Sequence, residues 1–309
     1  MRPRTPAGYF SKKEREGGPL IDKLSMFMVL ARAEHFGRAA EELGITQPTL
    51  SSAIKALEEQ LGVQLVRRGS RYQGLTPEGA RVLDWARRIV GDARAMQSEM
   101  QARRRGVSGL LRLGVIPTAM PRIAELTGPF LKRHPNAGVS ILSRSSDEIR
   151  EQIEALELDA GVTYLDSEPL GRVQTLPLYR ETYCLISRDD ASGPAVWAEA
   201  AARPLCLLTP DMQNRRIVTR HLLEAGADAM PRVESTSMLA ILSHVATGDW
   251  AAILPRSLAR GLPLPEGVGA RDLAGEGHMV GLVVARREPH PPLVDALWKS
   301  VGLIEESDQ

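Results

Sequence analysis

Gln47, Pro48, Thr49, Ser51, Ser52 and Lys55 crowd into the stretch "TQPTLSSAIK" at residues 46–55. Each of these types can meet a polar edge: a carboxamide can bond an adenine edge twice, hydroxyls reach phosphates or bases, and Pro and Thr carbons can touch a thymine methyl. Leu50, Ile54, Leu57 and Leu61 recur at i, i+4, i+7 and i+11, so a helix here buries one narrow stripe. Rotation of about 100° per residue then puts Pro48, Ser52, Lys55 and Glu59 on the opposite side, flanked by Gln47 and Ser51. That face suits the major groove of double-stranded DNA. An ordinary surface helix in a bundle would look the same, and the helix alone does not separate the two.

The flanking segments are what must position it. "LSMFMVLARAEHFGRAAEELG" predicts a helix with Phe27, Leu30 and Ala31 at helical spacing, then a short helix through Ala39, Ala40 and Leu43. Gly44 suits the left-handed end of that second helix, Ile45 plugs the turn, Thr46 N-caps the next helix and Pro48 fits its first turn. "LVRRGSRYQGLT" (65–76) reads as a hairpin wing whose Arg67, Arg68 and Arg71 hold phosphates. A helix of about 29 residues, roughly 43 Å long, then starts at Thr76. Its Val82, Ala86, Ile89, Ala93, Met96 and Met100 are spaced 4, 3, 4, 3, 4. Such a seam predicts a homodimer, and paired recognition helices predict an inverted-repeat target.

Charge points the same way. Net charge is +1, yet residues 1–106 carry 19 Lys and Arg against 12 Asp and Glu, and the rest carry 20 against 26. The first third suits a polyanion; the remainder has other work. No apolar run approaches the ~18 residues of a membrane span, and the first twenty residues hold no apolar stretch for a signal peptide, so the expectation is a cytoplasmic protein with no membrane partner. Residues 1–19, "MRPRTPAGYFSKKEREGGP", are expected to be a disordered basic extension or the product of an upstream start codon.

The last two hundred residues alternate strand-like and helical patterns. "LLRLGVIP", "AGVSILSR" and "DAGVTYL" frame two helical stretches, and the alternation resumes with "PLCLLTP", "MQNRRIVTRHLLEAG", "PRVEST", "SMLAILSHVATG" and "WAAILP". Two α/β lobes follow. "MVGLVVARR" and "PPLVDALWKSVGL" return to the first. A ligand between such lobes sits beyond the strands' carboxyl ends, at helix N-termini. Thr118, Ser145, Ser146, Thr163, Thr209, Gln213 and Asn214 occupy those positions. Singly each Ser or Thr reads as an N-cap; as a set they point to a small carboxylate or inorganic anion held by hydroxyls and amides.

Enzymatic alternatives find little. None of the six histidines (His35, His134, His221, His244, His278, His290) has a partner at recognisable spacing, no metal or cofactor motif occurs, and Cys184 and Cys206 lie in apolar strings that suit core thiols. A redox-sensing pair would need an exposed, electropositive setting. A transport-type solute-binding protein would share the two lobes, as would a cytosolic small-molecule-binding protein with no role on genes, but neither explains the basic head.

The run "FMVLARAEHFGRAAEELGITQPTLSSAIKALEEQLGVQLVRR" with "LTPEGARVL" resembles the winged helix-turn-helix of the LysR-type transcriptional regulators. The resemblance implies an α/β chain: winged helix-turn-helix at 20–76, linker and dimerisation helix at 77–106, and a periplasmic-binding-protein-like effector domain at 109–309. Its lobe I would take 109–170 and 281–309, and lobe II 171–280. It places DNA contacts on Gln47, Pro48, Thr49, Ser51, Ser52, Arg67 and Arg68. It implies a homodimer or homotetramer, built as a dimer of dimers, in which effector-driven lobe closure changes DNA bending; RNA polymerase is a further partner of such a role. Two positions depart: Val66 stands where many members have Phe, and Ser52 where many have Arg, which implies a different half-site preference. "DAGVTYLDSEPLGRV" and "LTPDMQNRR" resemble a subgroup associated with formate dehydrogenase genes.

Overall fold

The computed structural model describes residues 20–67, 72–166, 168–188, 193–227, 230–261 and 264–305. The chain divides into two compact units, Met1–Met100 and Gln101–Gln309. Residues 1–19, together with Arg68 and Arg71, lie outside the described residues.

In the first unit, α1 (Leu20–Ala33), α2 (Phe36–Leu43) and α3 (Gln47–Leu61) pack on one another. Phe27, Leu30, Ala39, Ala40, Leu50, Ile54 and Leu57 fill the space between them. Burying each large side chain contributes about 1.5–3 kcal/mol before chain entropy is set against it. The turn is fixed locally. Gly44 sits at φ 65° and its N–H donates to Ala40 and Glu41 carbonyls, while Thr46 Oγ1 accepts from the Thr49 N–H at 3.3 Å. His35 caps α2, its Nδ1 accepting from Gly37 and Arg38 N–H groups. Leu61 departs from expectation: it is 38% exposed, because the stripe runs past its cover in the last residue of α3. Of the expected hairpin, the described residues show the stem, a Val66–Leu75 bridge flanked by Arg67 N–H to Gly74 and Thr76 N–H to Leu65. After it α4 runs Pro77–Arg105.

The second unit holds two five-stranded sheets. Its elements in order are β1 (Gly109–Val115), a 3-10 turn (Pro117–Arg122), α5 (Ile123–Arg133), β2 (Ala137–Ser143), α6 (Ser146–Glu154), β3 (Ala160–Tyr164), β4 (Val173–Glu181) and β5 (Tyr183–Ser187). Then come α7 (Trp197–Ala201), β6 (Leu205–Leu208), α8 (Gln213–Glu224), β7 (Val233–Ser235), α9 (Met238–Ala246), β8 (Ala251–Pro255), α10 (Arg256–Gly261), β9 (Gly269–Asp272), β10 (His278–Ala285) and α11 (Pro292–Glu305). Strand order is β2-β1-β3-β10-β4 in the first sheet and β7-β6-β8-β5-β9 in the second. β1 pairs in parallel with β2 and β3, and β6 with β7 and β8, as expected of βαβ units; β5 lies antiparallel to β8 and β9, and β10 returns antiparallel to β3. At Gly161 a Cβ would lie 2.3 Å from Ile149 Cγ2, so only glycine lets α6 lie this close to the sheet.

Lobe boundaries need correction. The sequence reading put 171–280 in lobe II, but β4 pairs with β10 from Val173–Ala285 to Glu181–His278 and so belongs to lobe I. The strand was hidden because "VQTLPLYRE" mixes polar residues with Pro177, which sits where the register shifts and a missing N–H costs nothing. The crossings are therefore Thr182 and the segment between Leu273 and His278.

Candidate functional site

The unit that carries α3 shows its polar face to solvent. Gln47, Pro48, Ser51, Ser52 and Lys55 are exposed while Leu50, Ile54 and Leu57 are buried beneath them. Thr46 and Thr49 are committed to each other: their hydroxyls lie 2.8 Å apart, and Thr46 caps the helix, so they fix the start of α3. Lys55 pairs with Glu59 at 3.6 Å, both well exposed, a contact of little energetic weight. Arg67 is exposed beside the stem.

Two positioning residues escaped the sequence reading. Buried Glu58, on the inner side of α3, accepts the N–H groups of Leu65 (2.8 Å) and Val66 (3.2 Å), tying the wing stem to the recognition helix. Gly79 passes so close to the stem that a Cβ there would lie 2.1 Å from the Leu65 carbonyl oxygen. A Glu among polar neighbours gives no signal for the first, and a glycine in the first turn of a helix gives none for the second.

On α4 the expected seam divides. Ala86 is fully buried within the single chain and offers nothing to a partner, whereas Ile89, Met96 and Met100 are exposed and Val82 and Ala93 are half-buried. Trp85, 59% exposed, joins the outward set.

The second unit holds a small, partly open pocket lined by Ile116, Pro117, Thr118, Ser145, Ser146, Tyr164, Leu208, Met212, Gln213 and Asn214, with a volume of about 10 Å³. That is room for about one water. Five expected residues, Thr118, Ser145, Ser146, Gln213 and Asn214, come together there. Thr163 stands behind the wall and donates to Ser146 Oγ at 2.9 Å; Thr209 is not in the lining. Ser145 is spent in a capping box, its Oγ accepting from Glu148 N–H and its own N–H bonding the Glu148 carboxylate.

Tyr164 and Glu181 were missed. Glu181, 1% exposed at the end of β4, accepts a short hydrogen bond from the Tyr164 hydroxyl. Tyr164 also receives Asn214 Nδ2 (3.4 Å) and Tyr183 Oη (3.4 Å), and meets Thr118 Oγ1 at 3.2 Å. Burial pushes the Glu181 carboxyl up to about 7, although the hydroxyls of Tyr164, Thr118 and Tyr183 and the charge of Arg122 favour its ionised form. Both polar atoms of Gln213, itself 2% exposed, lack a hydrogen-bond partner among the described residues. α8 starts at Gln213 with no side-chain cap, so its first N–H groups are free of one. Arg215 and Arg216, next along α8, are held elsewhere: Arg215 by Glu234 (2.5 Å), Arg216 by Glu168 (2.6 and 2.7 Å).

Cys184 and Cys206 are buried core thiols, pushed up to about 12 and about 11 by burial. β8 lies between their strands, since Cys184 faces Leu254 and Cys206 faces Ala252. Two strand spacings, about 10 Å, exceed the reach of a disulfide, roughly 7 Å between Cα atoms. Among the described residues no three His, Cys, Asp or Glu gather as a metal site, and no helix is long and apolar enough to cross a membrane.

Residues 21–80 match the bacterial regulatory helix-turn-helix of the LysR family, and residues 104–302 match the LysR substrate binding domain. The chain is a LysR-type transcriptional regulator. LysR-type regulators are DNA-binding proteins with an effector domain, and are not enzymes. The "DNA-binding transcriptional dual regulator OxyR" of Escherichia coli is 29% identical over 240 residues, 76% of this chain and 78% of its own. A full-length OxyR variant from Pseudomonas aeruginosa superposes with a TM-score of 0.71 at 27% identity, covering 92% of this chain and 95% of that one. CbnR in complex with its target DNA has the same fold, with a TM-score of 0.59 at 23% identity over 92% of this chain and 99% of that one.

Proposed function

We propose that this LysR-type regulator senses a small anionic metabolite in the Thr118–Gln213 pocket and passes its occupancy to paired DNA-binding heads. The observation that carries the reading is Gln213: a buried carboxamide with no partner costs free energy unless something fills the pocket and bonds it. The uncapped N-terminus of α8 adds N–H donors and a positive dipole end, which favours negative charge. Gln47, Ser51 and Ser52 read bases, and Lys55 and the wing arginines Arg67, Arg68 and Arg71 hold phosphates. Trp85, Ile89, Met96 and Met100 form the homodimer seam, and pairs of dimers make a tetramer. An inverted-repeat promoter follows from that symmetry, and RNA polymerase is a further partner of such a role.

Formate, the smallest carboxylate, asks the least widening of so small a pocket. The segments 159–173 and 208–216, which resemble the subgroup linked to formate dehydrogenase genes, contribute Tyr164, Gln213 and Asn214 to the lining. Peroxide sensing, the role named for several relatives, is the second reading. Cys184 and Cys206 do not support it as a pair, being buried and separated by a strand.

Thr118→Ala tests the reading. Sodium formate and sodium acetate should raise the Tm of the wild type, and the variant should lose that rise while keeping DNA affinity. Loss of DNA binding instead assigns Thr118 a structural role.

A further inference from the structure

Glu181 is a puzzle for any anion pocket. It lies one hydrogen bond behind two lining residues, Thr118 and Tyr164, where an ionised carboxylate would repel the ligand through a poorly screened interior. No lysine or arginine lines the pocket to offset it. The cation whose charge acts on Glu181, Arg122, is held by Glu125 at 2.6 Å and lies over the Tyr179 ring at 4.0 Å.

We propose that the pocket takes a small monoanion only together with a proton on Glu181, which makes Glu181 the residue that sets ligand charge and working pH. This rests on the reading of the pocket as an anion site.

The hydrogen bonds supply the reason. With Glu181 ionised, the Tyr164 proton is committed to the carboxylate, and the Tyr164 oxygen draws the donors of Tyr183 and Asn214 toward itself. The Thr118–Tyr164 wall then turns lone pairs to the ligand, against the donors of Gln213 and the α8 N-terminus. With Glu181 protonated, the carboxyl becomes the donor to Tyr164, whose O–H is released; the Tyr164 oxygen keeps one lone pair, for which Tyr183, Asn214 and Thr118 compete, so donors are turned toward the pocket. The same wall then offers donors to an anion. The proton comes from solvent, or enters with the ligand as its conjugate acid, so charge balances at one anion and one proton bound. Burial already places the carboxyl near neutrality, so the proton is available at modest cost. The other titratable groups about it are Tyr164 and Tyr183, both raised by burial, Tyr179 on the same strand, and the Arg122–Glu125 pair. Beyond Tyr183 lie His221, lowered by burial, and His278, which meets Asp166 at 3.4 Å.

The experiment is isothermal titration of the full-length protein with sodium formate and sodium acetate, both fully ionised throughout, from about pH 6 to about pH 8.5. Kd should be nearly flat below about pH 6.5 and rise about tenfold per pH unit above about pH 7. In Tris and in HEPES near pH 8, the heats should report about one proton taken up per anion. Glu181→Gln should flatten the profile and bind at least about tenfold more tightly than wild type near pH 8. Binding with a flat profile and no proton uptake overturns the inference and leaves the anion pocket standing. No binding of either anion at any pH overturns both.

Discussion

Serine and threonine hydroxyls serve both working surfaces, in opposite surroundings: Ser51 and Ser52 stand in solvent on α3, whereas Thr118 and Ser146 are buried in the effector unit. Solvent satisfies the first pair, and in the proposed function DNA takes its place, so substitution there leaves the buried side of α3 untouched. The second pair must find partners inside the protein, and Thr118 has Tyr164 while Ser146 has Thr163. A surface reader can therefore be retuned residue by residue, while a buried sensor responds as a connected network.

That contrast can be broken most forcefully at Gly79, where helix and wing stem meet closely in the DNA-binding unit. Gly79→Ala should cost several kcal/mol, on the order of 3, because the Leu65 carbonyl cannot yield to a Cβ without moving the wing; Tm of the full chain reads the loss, and an unchanged Tm removes the packing argument. Next in size is the pH dependence of the buried network. The Glu181 carboxyl is higher in the folded chain than its ordinary 4.5, so the native state holds the proton more tightly. Its contribution is present at low pH and falls as pH rises from about 4.5 to about 7, by at most roughly 3 kcal/mol. Denaturant titrations across that window should show stability falling, and Glu181→Gln should remove most of the slope.

On the surface side, Gln47→Ala should weaken specific DNA by about 1–3 kcal/mol and relax preference at one position. Arg67→Ala should weaken all sequences alike and reduce the salt slope by about one ion. A sequence-selective loss from Arg67→Ala would reverse its phosphate assignment. Smallest is Glu168→Gln, which breaks the fork to Arg216 between lobe I and α8. With both partners about a third exposed, it should cost under about 1 kcal/mol and loosen anion binding by a few-fold, as a titration would show.

Legibility follows the same divide. The helix-turn-helix could be read because exposed faces obey helical periodicity and because Gly44, Thr46 and Pro48 punctuate it locally. Five pocket residues could be read because hydroxyls and amides at strand-to-helix turns have few other uses. Glu181 could not, since its meaning comes from β4 lying beside β10, a pairing of residues about a hundred apart in sequence that Pro177 disguises. On α4, heptad spacing picks out Ile89, Met96 and Met100, which are exposed, but spacing cannot tell which side the chain's own fold has already covered, so it takes in buried Ala86 and passes over exposed Trp85.

The central claim is that occupancy of the Thr118–Gln213 pocket changes how the protein sits on DNA. The direct measurement is a footprint on the intergenic DNA upstream of its own gene, at several salt concentrations, with and without sodium formate and sodium acetate, for wild type and Thr118→Ala. The account predicts salt-sensitive protection over an inverted repeat whose pattern shifts with an anion in the wild type and stays fixed in the variant. A shift that persists in Thr118→Ala, or an anion that binds without moving the footprint, contradicts it.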